Sequence, residues 1–150
     1  MEKFYVAYGS NMNLEQMALR CPDAKAVSSA LMHGYELQFK YHATIEPNPD
    51  SKVPILLWKL SKCDEQRLDR YEGFPKYYRK ETRIFTFRGE TVEGMMYIMN
   101  GNKPLQAPSE AYYNTILQGY RSAGLDTSYL EKALEQAQEF GITEDLQLKF

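Results

Sequence analysis

The chain opens on a stretch that narrows its fold at once. Phe4, Tyr5, Val6, Ala7 and Tyr8 are apolar or aromatic without alternation, so Lys3 to Tyr8 reads as a short strand buried on both faces. It then stops on Gly9, Ser10 and Asn11, three small residues that expose backbone. A hairpin would explain such a stop, but no second strand follows directly. Two readings remain. One is a plain strand-to-helix turn in which Ser10 and Asn11 satisfy their own backbone. The other is a cup of N–H groups built to hold an anion, with the chain turning through positive φ at Gly9 and a helix N-terminus just beyond. Taken alone, the turn is the more economical reading.

The remaining signals give strands first and helices later, with one helix inserted. Asn13 caps a short helix, with Gln16 reaching back, that ends near Cys21-Pro22. Ala24 to Leu31 and Tyr35 to Tyr41 are predicted strands split by a turn at His33-Gly34, and a further short strand covers Ala43 to Glu46. Pro47 to Lys52, "PNPDSK", has the composition of a loop. Ile55 to Leu60 is an apolar strand in which Trp58 packs. Ser61 caps a helix that ends at Gly73. Tyr78 to Phe87 and Thr91 to Met99, where Met95, Met96 and Met99 pack, form a hairpin about Arg88-Gly89-Glu90. After the loop "NGNKPLQAP", Ser109 caps a helix stopped by Gly124. Ser128 to Glu131 forms a capping box for a last helix to about Phe140. Ile142 to Phe150 alternates and reads as a terminal strand or a partner-binding tail. This order predicts one α+β domain over residues 1–150 with a mostly antiparallel sheet that can close into a barrel.

Composition excludes several function classes. At 150 residues, 43% hydrophobic and 25% charged, the chain suits a single globular domain with a real core. A net charge of −2 without a basic block disfavours nucleic-acid binding, which needs clustered Lys and Arg. Cys21 and Cys63 make neither a disulfide framework nor a zinc site, and His33 and His42 lack ligand spacing. No apolar run approaches a membrane span, and no signal-peptide layout precedes the first strand, so a cytoplasmic location is expected. P-loop, Gly-x-Gly-x-x-Gly and Gly-x-Ser-x-Gly patterns are missing, and no cofactor or metal is indicated.

Twelve tyrosines supply apolar area with polar tips, suiting a pocket or interface as well as a core. Tyr5, Tyr8, Tyr41, Tyr77, Tyr78, Tyr97 and Tyr112 are the candidates. Leu68, Tyr71 and Glu72 share one side of the inserted helix, so a core-facing Leu68 turns Glu72 inward or to a cavity rim. Burial there would lift its pKa from ~4.3 towards neutrality, which suits a general base. A solvated carboxylate at a frayed helix end is the competing reading.

Three segments in order, "YVAYGSNMN", "LDRYEGFPKYYRK" and "PSEAYYNTILQGYRSAGL", resemble the gamma-glutamylcyclotransferase family over about Phe4 to Leu130. The resemblance implies a small distorted β-barrel with surrounding helices. It implies a pocket formed by Tyr5, Val6, Ala7, Tyr8, Gly9, Ser10 and Asn11, with Glu72 as the base. Tyr78 (or the adjacent Tyr77) and Tyr112 are implied as further substrate-binding residues. The implied partner is a small-molecule gamma-glutamyl substrate, cyclised to 5-oxoproline without cofactor or metal. Nucleic acid and membrane are not expected as partners, and a homodimer is left open. The "YGSN" form resembles the branch acting on gamma-glutamyl amino acids more than the amine branch, which more often has Tyr-Gly-Thr-Leu. A gamma-glutamylamine enzyme, or a non-catalytic binding module on the same scaffold, is the alternative.

Overall fold

A computed structural model describes the backbone of residues 2–148 and the side chains of residues 3–140. The elements are β1 (Glu2–Ala7), a 3-10 turn (Ser10–Met12), α1 (Leu14–Arg20), β2 (Lys25–Lys40), β3 (His42–Lys59), α2 (Lys62–Glu72), β4 (Tyr78–Phe87), β5 (Glu90–Met99), α3 (Glu110–Ser122) and α4 (Ser128–Leu148). They form a mixed α+β fold around one five-stranded sheet of order β2-β3-β1-β5-β4. The doubly buried β1 lies in its middle, antiparallel to β3 and parallel to β5. Phe4, Val6 and Ala7 are all buried, as a strand covered on both faces requires.

β2 and β4 end the ladder order. Side chains, rather than a strand ladder, carry the β2–β3 hairpin tip across to the far edge. Tyr78 donates its hydroxyl to the Ala43 carbonyl at 2.8 Å, and Thr44 Oγ1 accepts from the Met99 N–H at 3.0 Å. Ala43, Tyr78 and Met99 of these contacts line the hollow described below.

Several elements differ from the sequence reading. β2 runs unbroken through His33, which pairs with Lys52, so His33 is a strand residue rather than a turn residue. Pro47 to Lys52 lies inside β3 rather than in a loop between strands. The register explains both: His33↔Lys52 gives way to Tyr35↔Pro47, so Gly34 alone faces Asn48 to Ser51. These four turn-forming residues make a wide bulge, in which Asn48 Oδ1 accepts from the Asp50 N–H at 3.0 Å. Gln16 caps nothing; its Oε1 accepts from Arg20 at 2.9 Å. α4 starts one residue early, with Ser128 inside the helix, the Asp126 carboxylate accepting the Ser128 N–H, and Thr127 bonded to Glu131. Its backbone continues to Leu148 where a strand or tail was expected, and Lys149 and Phe150 of that segment lie outside the described residues. No helix among the described residues is long and apolar enough to cross a membrane.

α3 fixes the turn after β1. Asn13, the cap of α1, donates to the Thr115 carbonyl at 2.9 Å and to Gln118 Oε1 at 3.2 Å. Gly119 lets the helix backbone come this close, since a Cβ there would lie 2.9 Å from the Asn13 nitrogen and from the Met12 carbonyl carbon. Gly119→Ala is expected to destabilise the protein by about 1–3 kcal/mol, measured by denaturant unfolding.

Candidate active site

A cavity of about 510 Å³ opens where β1 ends. Gly9, Ser10 and Asn11 form one wall, Tyr71, Glu72 and Gly73 of the α2 terminus another, and Tyr112 of α3 a third. Two sequence features aim α2 at this place. The Ser61–Asp64 capping box starts it, and Gly73, left-handed at φ 68°, stops it directly after Glu72. Leu68 is fully buried, as the spacing required, so the last turn faces the sheet. Asp69 holds the helix in register. It accepts the Tyr97 hydroxyl at 2.6 Å and pairs with Lys80 at 2.8 Å.

Glu72 is only partly accessible, and its carboxyl faces inward. Asn11 Nδ2 donates to its Oε1 at 3.2 Å and to the Tyr5 hydroxyl oxygen at 2.9 Å. Burial lifts the carboxyl's pKa from 4.5 to about 7, while the Arg20 charge and the Asn11 hydrogen bond hold it from rising further. Arg20 donates to Asn11 Oδ1 at 2.6 Å, and its guanidinium carbon lies over Tyr71, 3.7 Å from the ring centroid. The Tyr71 hydroxyl in turn reaches Ser10 Oγ at 3.2 Å. The strand end, the first helix and the α2 terminus are thus one hydrogen-bonded unit.

The buried phenols of Tyr5, Tyr8, Tyr78 and Tyr112 are all hydrogen-bonded. Tyr8 donates to the Tyr97 carbonyl at 2.6 Å, and Tyr112 accepts the Ala43 N–H at 3.1 Å. Burial pushes the Tyr5, Tyr8, Tyr78 and Tyr112 hydroxyls upward, and the Glu72 charge adds to it for all four.

Of the expected substrate-binding residues, Tyr5, Tyr8, Gly9, Ser10, Asn11, Tyr78 and Tyr112 line the cavity with Glu72. Val6 and Ala7 are not among them: both are wholly buried in β1 and paired with Leu57 and Leu56 of β3. Tyr77 and Tyr78 both line it, Tyr77 exposed at the mouth and Tyr78 buried beneath. Tyr41 instead occupies the hairpin tip at φ 70°. Gly9 has φ −125°, so the expected positive φ is not there. Its glycine is needed for space: a Cβ would lie 3.3 Å from Ala43 Cβ and 3.7 Å from the Tyr112 hydroxyl. Arg20 and Tyr71 were missed as site residues. Arg20's four-residue spacing from Gln16 was the available signal, but it does not show what lies across the gap.

Fold and pocket together define a small α+β protein with one inward carboxyl set against a turn at the end of a central strand. The model of the family described as gamma-glutamyl cyclotransferase, AIG2-like, matches residues 5–118. The human gamma-glutamylcyclotransferase is 31% identical over 142 residues, covering 85% of this chain and 75% of the human one. A solved structure described as gamma-glutamyl cyclotransferase superposes with a TM-score of 0.75 at 28% identity, covering 87% of this chain and 85% of that one. The ensemble-refined crystal structure of an uncharacterized protein from Homo sapiens does so with a TM-score of 0.74 at 30% identity, over the same shares of the two chains. The chain belongs to the gamma-glutamyl cyclotransferase, AIG2-like family.

Proposed function

We propose that this protein cyclises the gamma-glutamyl group of a gamma-glutamyl amide to 5-oxoproline and releases the amine, with gamma-glutamyl amino acids as the first substrates to test. One observation carries the reading: the Glu72 carboxyl, poised near pH 7, lies on the same cavity wall system as Gly9, Ser10 and Asn11. Family membership supports it.

The substrate's α-nitrogen attacks its own γ-carbonyl carbon and closes a five-membered lactam. Holding the two in contact is worth ~7–11 kcal/mol. Glu72 takes the proton that the α-ammonium must lose before attack. Protonated Glu72 returns that proton to the departing nitrogen as the tetrahedral intermediate expels the amine. The second ammonium proton, still on the ring nitrogen after attack, passes to the freed Glu72 carboxylate and on to the released amine or solvent. A pKa near 7 suits one carboxyl to both steps, and such acid–base help is worth roughly 10²–10⁴ in rate. Amides of the Gly9–Asn11 turn are proposed to hold the α-carboxylate or the oxygen gaining charge, the latter worth ~3–4 kcal/mol. Tyr78 and Tyr112 shape the floor. We also propose Tyr5 and Tyr8 as contacts of the glutamyl chain.

Incubation with gamma-glutamyl amino acids, gamma-glutamylamines and glutathione, followed by assay of 5-oxoproline, tests the reading. Release from at least one class is expected; binding without release from any would favour a non-catalytic module. Gly9→Val is expected to raise KM about tenfold or more, because its branched side chain forces Ala43 and Tyr112 apart. Unchanged KM would remove the turn from the binding site.

A further inference from the structure

We infer that Lys103 receives a carboxylate carried by the departing amine, making the preferred leaving group anionic. This rests on the cyclotransferase reading above and deepens it. Lys103 lies in the connection between β5 and α3 and lines the same cavity as Glu72. Its Nζ stands 5.9 Å from the centroid of the Tyr77 ring, which is 53% exposed and marks the mouth. His42 of the hairpin tip lines the same cavity, and its imidazole pKa is lowered by burial and by the Lys103 charge. The ammonium therefore lies close to Tyr77 and acts on His42, both of which border the hollow. Among the described residues, no carboxylate pairs with Lys103 or with Arg70, a second cation bordering the cavity.

The cations divide between two tasks. Arg20 is committed to Asn11 and Tyr71 and acts on Glu72. The glutamyl carboxylate has the turn amides available to it under the proposed mechanism. Lys103 is left facing whatever extends from the γ-carbonyl towards solvent. A neutral amine offers it nothing to neutralise, whereas an amino acid places a carboxylate two bonds from the departing nitrogen. An acidic amino acid adds a second carboxylate, which Arg70 can meet. A charge pair at a half-open site is modest in strength and weakens with salt.

The test uses gamma-glutamyl-alanine and gamma-glutamyl-ethylamine, which differ only by the carboxylate on the leaving group. The wild-type protein is expected to favour the alanine compound about tenfold or more in kcat/KM. Lys103→Gln should reduce that ratio about tenfold, and Lys103→Arg should keep most of it. Raising KCl from about 0.05 to about 0.5 M should shrink the wild-type ratio. Lys103 is exposed, so neither substitution threatens folding. Equal kcat/KM for both compounds in the wild type, or an undiminished ratio in Lys103→Gln, would overturn the assignment. Absence of 5-oxoproline from both compounds would instead overturn the cyclotransferase reading. Calorimetric binding of the same pair still judges Lys103 in that event: tighter alanine-compound binding lost in Lys103→Gln supports it, and equal Kd values refute it.

Discussion

Glu72→Gln is expected to lose roughly 10²–10⁴ of turnover and to become more stable at pH 8. Both effects have one cause. Gln keeps the shape of Glu and an oxygen to accept from Asn11 Nδ2, which now reaches Glu72 at 3.2 Å. It cannot take the ammonium proton or return it. On the stability side, the folded protein raises the carboxyl from 4.5 to about 7, so it binds a proton that the unfolded chain releases. Stability from this group is complete below about 4.5 and is lost as pH rises through about 7. A sealed site would lose about 3 kcal/mol across that interval; solvent access to Glu72 reduces the expectation to about 1–2 kcal/mol. Thermal unfolding of the two proteins should agree near pH 4 and separate at pH 8, with the variant melting higher. A variant that still releases 5-oxoproline near the wild-type rate removes Glu72 from the chemistry.

Arg20→Gln is expected to displace the acid limb of kcat/KM to higher pH. Wild-type activity should rise with pH about a midpoint near 7, as the Glu72 carboxylate forms. The Arg20 charge favours that carboxylate, and its removal favours the protonated acid. Each pH unit of displacement costs about tenfold on the acid side and little on the alkaline side. Loss of the Tyr71 stacking alone would lower activity at all pH values equally, so the shape of the profile separates an electrostatic role from a structural one. Arg20→Lys should return the midpoint most of the way.

Where local chemistry decides, the sequence was readable. Ser61, Asp64 and Gly73 bound α2 by capping alone, and the Leu68–Glu72 spacing turned the acid inward without knowledge of what it met. The Arg88-Gly89 turn, both residues at positive φ, was likewise visible. Long-range geometry was not. Pro47 to Lys52 looks like a loop because its residues favour turns, yet pairing on both sides absorbs it as a bulge. The hairpin tip folds onto Tyr78, Met99 and Tyr112 through contacts up to 69 residues apart, and no periodicity encodes such a meeting. The positive φ expected at Gly9 is absent, and the need for a small residue there is one of space alone, set by Ala43, which arrives from β3. Arg20 escaped notice because its partners, Asn11 and Tyr71, come from separate elements.

The most direct test of the account is the titration of the Glu72 side-chain carboxyl itself, followed by carbon-13 NMR in protein labelled at glutamate, with Glu72→Gln identifying the resonance. A midpoint of about 7 is expected, moving upward in Arg20→Gln. A midpoint at the ordinary 4.5 would show an acid bathed in water, and would contradict the proposal that this carboxyl exchanges a proton with substrate in an enclosed site.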